Sequence, residues 1–469
     1  MARAKNKTSR QVALEVLDSF DITRHDAGEI LHTIIHQTDQ RAHATDLVFG
    51  VIRNLPAIDM LTDKLGGTKT ERIHKKLVNI IRIGAYELIF KPKTPAYAVI
   101  NEAANLAAAA GKRQTGFVNA ILRNLTRSIA DRNISLADAD PLKTLPQSSQ
   151  TGCLFKDVIL PDPKTKAPEY LSRAFSLPLW LVTDWLDEFG FEQTRQICFA
   201  SNRAPGVFVR PNTLKISAPA LAQKFTADGI DFDLCESESV LKLNSHLPVT
   251  ILPGFDEGLF TVQDPAAART VEILAPQPGW IVLDLCAAPG TKTVQTAQMM
   301  KNTGRIIATD IDPQRLKKVE QNCKRLGITI VDVITYEKLQ QTIDETERLD
   351  AVLLDVPCSN TGVLARRPEV RLRINRRIPT TLAQTQLKIL QKAANLFSPG
   401  TCGRASLKHP KICYSTCSIL NQENSKVVKQ FLSTNTNFRL DSELLTLPST
   451  AAGESFDHDG AYTAILMKI

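Results

Sequence analysis

The chain has 469 residues, 43% of them hydrophobic and 23% charged, and a formal net charge of +8. That is the composition of an ordinary soluble protein with material for two to four domains, and it excludes membrane-spanning classes because no run of about 18 apolar residues occurs. Nine cysteines scattered without small-domain spacing exclude a disulfide scaffold and point to a reducing cytoplasm.

Lys5, Lys7 and Arg10 followed by Val12, Leu14, Val16 and Leu17 read as the start of an amphipathic helix rather than a signal peptide. To about Arg127 helix follows helix. Val12, Val16, Leu17 and Phe20 share one face, and Leu77, Ile80, Ile81, Ala85 and Leu88 another, which predicts an all-α bundle over residues 1–132. Lys112, Arg113, Arg123 and Arg127 make its end basic. Residues 133–167 turn to Pro, Ser, Thr, Asp and Lys without periodicity and are expected to be a linker. A small α+β module is expected over 168–262, with a helix around Trp180–Leu186, a strand at Val207–Arg210 and a helix from Ala218 to Phe225.

From 263 to 469 the rhythm is strand, glycine turn, helix, strand. Ile281–Leu285, Arg305–Thr309, Ala351–Leu354 and Lys411–Tyr414 read as strands; Thr293–Met300, Gln314–Leu326 and Thr381–Leu396 read as helices. This alternation predicts a doubly wound, mostly parallel, Rossmann-like sheet.

The first strand enters Cys286-Ala287-Ala288-Pro289-Gly290-Thr291-Lys292. Small residues and Gly290 let the backbone approach a ligand, but the loop is neither GxGxxG nor a P-loop, so a pyrophosphate is disfavoured. Asp310 ends the next strand, 20 residues after Gly290, where a ribose-binding carboxylate belongs. Asp312 is better placed to cap the following helix. A ribose carboxylate without a diphosphate grip suits S-adenosylmethionine.

Pro357-Cys358 and Thr416-Cys417 lie 59 positions apart, each where a strand gives way to polar loop. A parallel sheet gathers its chemistry beyond the carboxyl ends of its strands, so both thiols are candidates for one site. Few reactions need two cysteines and no metal; methylation of a pyrimidine carbon is one, through a covalent nucleophile and a group that helps undo the adduct. Asp355 is placed to hydrogen-bond the base edge. Cys286, Cys323 and Cys413 read as core residues. Cys402, His409, Cys413 and Cys417 lack zinc-ligand spacing, so no metal is expected. Arg366, Arg367, Arg371, Arg373, Arg376 and Arg377, interrupted only by Glu369, read as a phosphate-binding surface, which favours nucleic acid as the acceptor.

LDLCAAPGTKT, LLDVPCSNTGVLARRPEV and YSTCSILNQEN resemble the cofactor loop and the fourth and sixth motifs of the NOL/NOP/Sun family of RNA cytosine-5 methyltransferases. DLVFGVIR and TGFVNAILRNL resemble a NusB-like RNA-binding domain, and VRPNTLK with FTVQDPAA a middle RNA-binding segment. The resemblance implies S-adenosylmethionine held by Cys286–Lys292, Asp310 and Asp355, Cys417 as nucleophile, and Cys358 assisting breakdown of the adduct. It implies a monomer acting in the cytoplasm on 16S rRNA, at cytosine 967. Thr291 replaces the family's usual second glycine, Thr335-Tyr336 stand where its third-motif aspartate is expected, and Asn360 fills a usually small position. Two other readings stay open on the residues: a non-catalytic rRNA-binding assembly factor, and a DNA cytosine methyltransferase.

Overall fold

A computed structural model describes residues 6–22, 26–235, 240–244, 248–346, 348–397, 409–450 and 456–469. The chain divides into two compact units, Met1–Ala204 with Leu364–Asn375, and Pro205–Val363 with Arg376–Ile469.

The first unit opens with the helices Ser9–Ser19, Ala27–Ile34, Arg41–Arg53, Leu55–Leu65, Lys75–Phe90, Ala96–Ala108 and Lys112–Ser128. Thr8 starts the series with a reciprocal cap: its side chain takes the Gln11 N–H while the Gln11 side chain takes its own. Val12, Val16, Leu17 and Phe20 are buried as their spacing implies, as are Ile80, Ile81, Ala85 and Leu88. In the DLVFG stretch Asp46 accepts the Tyr86 hydroxyl at 3.0 Å. A Cβ on Gly50 would lie 2.1 Å from the Tyr86 ring, so only glycine fits beneath it.

Residues 133–167 are not the expected linker. Strands Ile129–Ser135, Thr151–Phe155 and Thr144–Pro146 form an antiparallel sheet with the second of these in the middle. Leu145, Cys153, Phe155, Ile159 and Leu160 are buried, but too sparsely spaced to show a period. Pro146 sits on an edge strand, where a missing N–H costs no ladder bond. Helices Ala167–Phe175 and Leu179–Asn202 complete this unit. The expected α+β module spans the boundary at residue 204: the helix Leu179–Asn202 falls in the first unit, and the strands and the helix Ala218–Ala227 in the second. Those strands, ordered Phe232–Cys235, Val240–Leu243, Val207–Pro211, Phe260–Val262, pair antiparallel. In VRPNTLK, Asn212 is fully buried and donates to the carbonyls of Gly258 and Leu326, each at 2.8 Å.

The large sheet of the second unit has seven strands: β1 (Ile281–Asp284), β2 (Arg305–Ala308), β3 (Val331–Val333), β4 (Ala351–Asp355), β5 (Lys411–Thr416), β6 (Phe438–Thr446) and β7 (Ala461–Lys468). Their order is β3-β2-β1-β4-β5-β7-β6; the first five run parallel and β7 pairs antiparallel with both neighbours. Alternate side chains feed two cores, as a strand buried on both faces requires. Val282, Ile306, Leu353 and Cys413 pack with Val294, Val319 and Leu326, while Leu283, Ile307, Leu354 and Tyr414 pack with Leu390, Val428 and Phe431. The helix Pro313–Leu326 is punctuated at both ends, by Asp312, whose side chain accepts from Gln314 and Arg315 N–H, and by Gly327 at φ 74°. The order reverses between β1 and β4, which is where an open α/β sheet leaves a crevice.

Candidate active site

The parallel register of β4 and β5 pairs Asp355 with Ser415, so the two cysteine loops leave adjacent strand ends together. Cys358 Sγ lies 3.1 Å from Cys417 Sγ. The Cys417 thiol also donates to Asn360 Oδ1 at 3.2 Å, and Asn360 Nδ2 donates to the Cys358 carbonyl at 3.1 Å. Asn360 holds φ at 61°, a left-handed conformation that asparagine tolerates better than most residues. The hydrogen bond it makes to Cys417, then burial, holds the Cys358 thiol well above the usual range. The fourth- and sixth-motif cysteines therefore occupy one site.

Asp355 is fixed from two sides. Its Oδ2 meets Lys292 Nζ at 2.7 Å, and its Oδ1 accepts the Ser415 hydroxyl at 3.0 Å. Burial pulls the Lys292 ammonium down, but the Asp355 carboxylate outweighs it and the net shift is upward. Lys292 thus stays a cation within electrostatic reach of Cys417.

The loop after β1 is bound to the end of β2. Asp310 Oδ2 accepts the Ala288 N–H at 3.2 Å, and its Oδ1 accepts the Asp312 N–H at 3.0 Å. Arg315 donates to the Ala288 carbonyl at 2.7 Å, and Asn322 to that of Pro289 at 3.1 Å. Gly290 has φ 100°, and a Cβ there would stand 3.1 Å from Val319 Cα, so the helix Thr291–Met299 must begin on glycine. Thr291, in the helix's first turn, is half-buried, and Cys286 carries a thiol that burial pushes up.

Asp284, at the foot of this loop, was not singled out by sequence. It is buried, gives Oδ2 to the Thr293 hydroxyl at 2.6 Å, and leaves Oδ1 without a hydrogen bond. Burial, then the nearby Asp355 charge, raises its carboxyl from 3.8 to about 7. An orphaned carboxylate oxygen beside a tight glycine turn suits a cationic ligand such as S-adenosylmethionine, with Cys286–Lys292 and Asp310 around it. A carboxyl with a raised folded-state pKa binds its proton more tightly folded than unfolded, so stability falls as pH rises between the two values. Asp284→Asn should therefore melt at higher temperature than wild type at pH 8, with the gap closing as pH falls from about 7 to 3.8. A gap independent of pH in calorimetry of the cofactor-free protein would refute the assignment.

The arginine stripe does not hold together as expected. Arg371 is only 3% exposed. Its guanidinium donates to the carbonyls of Arg53 (2.9 Å), Phe175 (3.2 Å), Ser201 (2.7 Å) and Leu364 (3.3 Å), and to Asn202 Oδ1 (2.6 Å). With both terminal guanidinium nitrogens bonded within the protein and Nε buried, Arg371 is a structural strut rather than a phosphate ligand. Arg367 and Arg373 are exposed and Arg366 is half-buried, with Arg367 3.4 Å from Asp26. These arginines belong to the first unit although their sequence neighbour Cys358 belongs to the second. Lys112, Arg113, Arg123 and Arg127 are exposed along one helix. Among the described residues no group of His, Cys, Asp or Glu could hold a metal ion, and no helix is long and apolar enough to cross a membrane. Cys402 and most of the segment preceding β5 lie outside the described residues.

Three family models match the chain: 16S rRNA methyltransferase RsmB/F over residues 271–459, the NusB family over 7–127, and an RsmF/B-like methyltransferase ferredoxin-like domain over 177–250. The ribosomal RNA small subunit methyltransferase B of Proteus mirabilis (strain HI4320) is 30% identical over 420 residues, covering 89% of each chain. That of Escherichia coli O1:K1 / APEC is 30% identical over 438 residues, covering 91% of this chain and 90% of its own. The crystal structure of PH0851 has the same fold, with TM-score 0.73 and 21% identity over 98% of this chain and 99% of that one.

Proposed function

The chain belongs to the RsmB/F family of 16S rRNA methyltransferases, and from that membership we propose that it methylates carbon 5 of cytosine 967 through a Cys417–C6 adduct resolved by Cys358. It is an S-adenosylmethionine-dependent rRNA methyltransferase of the cytoplasm in this reading. The observation that carries the chemistry is the pair of thiols in contact at 3.1 Å, beside the Lys292–Asp355 ion pair.

Cytosine C5 is a poor nucleophile until a thiolate adds to C6 and makes it enamine-like. Cys417 gives up its thiol proton to solvent and supplies that thiolate, with Lys292 within electrostatic reach as a countercharge. Asp355, oriented by Lys292 and Ser415, accepts a hydrogen bond from the exocyclic amine of the cytosine and so fixes the orientation of the base. The bound cofactor supplies an electrophilic methyl group. Cys358 holds its proton at first because it hydrogen-bonds to Cys417 and because its sulfur is shielded from solvent. Once the Cys417 sulfur is bonded to C6 it no longer holds that proton in place or opposes a second charge, so Cys358 can ionise to solvent. Its thiolate then accepts the C5 proton, and the electron pair left on C5 restores the C5–C6 double bond as the Cys417–C6 bond breaks. Because the reacting faces must be open on both sides, the base has to be unpaired or flipped.

Transfer of labelled methyl from S-adenosylmethionine to protein-free 16S rRNA, followed by mapping of 5-methylcytosine, tests the proposal. Label confined to cytosine 967, and lost when that base is replaced by uracil, is the expected result. Label at another cytosine would overturn the site, and label on another atom would overturn the chemistry.

A further inference from the structure

The two cysteine loops share a partner that touches neither thiol. Glu423, in the short turn Asn421–Glu423, is fully buried. Its Oε1 accepts the Ser359 N–H at 2.9 Å and Gln386 Nε2 at 3.1 Å. Its Oε2 accepts the Ser418 hydroxyl at 2.7 Å and also the Ser359 hydroxyl. Ser359 follows Cys358 and Ser418 follows Cys417. One carboxylate therefore gathers donors from both loops.

Neighbouring groups brace the same point. Gln386 donates to the Pro357 carbonyl at 2.9 Å and accepts the Tyr414 hydroxyl at 3.1 Å, and that hydroxyl lies 2.5 Å from the Glu423 carbonyl. Thr361 accepts the Ile419 N–H at 3.1 Å, and the Gly362 N–H reaches the Cys417 carbonyl at 2.9 Å. A buried carboxylate is costly unless its lone pairs are filled, and burial does push this one up against its hydrogen bonds. A fold that needed only bulk here would be served as well by an apolar side chain.

We propose that Glu423 is a positioning residue that clasps the loops of Cys358 and Cys417 and so sets the separation of the two thiols. The inference rests on the two-cysteine chemistry proposed above for its catalytic consequence, but the separation itself can be read without turnover. Diamide takes one hydrogen from each of two thiols that meet, leaving a disulfide and the reduced hydrazine, so the rate of Cys358–Cys417 closure reports their approach.

Glu423→Ala should slow that closure about tenfold or more and lower kcat about 100-fold, the scale of a 1 Å misplacement, while KM for RNA and cofactor stays put. Glu423→Gln, which keeps one acceptor oxygen, should recover part of both losses. If Glu423→Ala fails to fold, Ser418→Ala removes one arm of the clasp with little change of volume and decides the question by the same two readouts. A folded variant with wild-type closure, or one whose loss lies in KM alone, overturns the clasp. Wild-type protein that closes its disulfide but transfers no methyl group would instead overturn the proposed function, leaving the closure rates to judge the clasp.

Discussion

Cys358→Ala is expected to accumulate a covalent protein–RNA adduct, seen as a slow band on a denaturing gel, whereas Cys417→Ala forms no adduct and loses methyl transfer by roughly 10³-fold or more. The asymmetry follows from the roles that the family resemblance gives the two cysteines. The thiols are equivalent by distance, and what tells them apart is the motif each stands in, Pro357-Cys358 and Thr416-Cys417. By that resemblance Cys417 attacks and Cys358 assists elimination. Without Cys358 the attack and the methyl transfer still run, and the C5 proton has no base within reach. The reverse pattern, with an adduct from Cys417→Ala and none from Cys358→Ala, would exchange the two roles. Neither result bears on fold, because both substitutions delete a single sulfur from a partly buried loop position.

The second large effect is one of stability. Arg371→Ala should destabilise the first unit by roughly 3–5 kcal/mol in urea unfolding, the scale for removing one partner from a buried charged network. Five acceptors from four separate stretches of chain lose their donor at once. Arg371→Lys should restore less than half of this, because a single ammonium cannot reproduce the planar fork. A loss below about 1 kcal/mol, accompanied by weaker RNA binding, would return Arg371 to the phosphate surface that its neighbours suggest.

Arg371 also shows where reading residues in order runs out. An arginine among arginines gives no sign that its own side chain is turned inward, since what decides it is a pocket of carbonyls from residues 53, 175, 201 and 364. Strands β1, β2, β4 and β5 were legible because strands covered on both faces are continuously apolar. β6 was not, because most of its residues are exposed or half-exposed and its pairing partner β7 begins only at Ala461. The cysteines could be found from the polar loop sequence around them. Glu423 and Asp284 could not: a lone acid in NQEN or at a strand end looks the same whether it faces solvent or is sealed inside. Asp310 and Asp312 divided their labour as capping rules imply for Asp312, while the grip of Asp310 on the Ala288 amide needed coordinates.

Residues 364–375 belong to the first unit while the chain on either side belongs to the second. No single cut can therefore release either unit whole. A fragment ending at residue 204 would leave Arg53 without the Ala365 carbonyl it reaches at 2.9 Å, and would lack Arg371 entirely. Recombination between relatives meets the same constraint: a chimera that takes its first 204 residues from one parent must take the twelve-residue insert from that parent too, or lose a matched set of contacts. The two halves are thus inherited as an interleaved pair rather than as modules on a string.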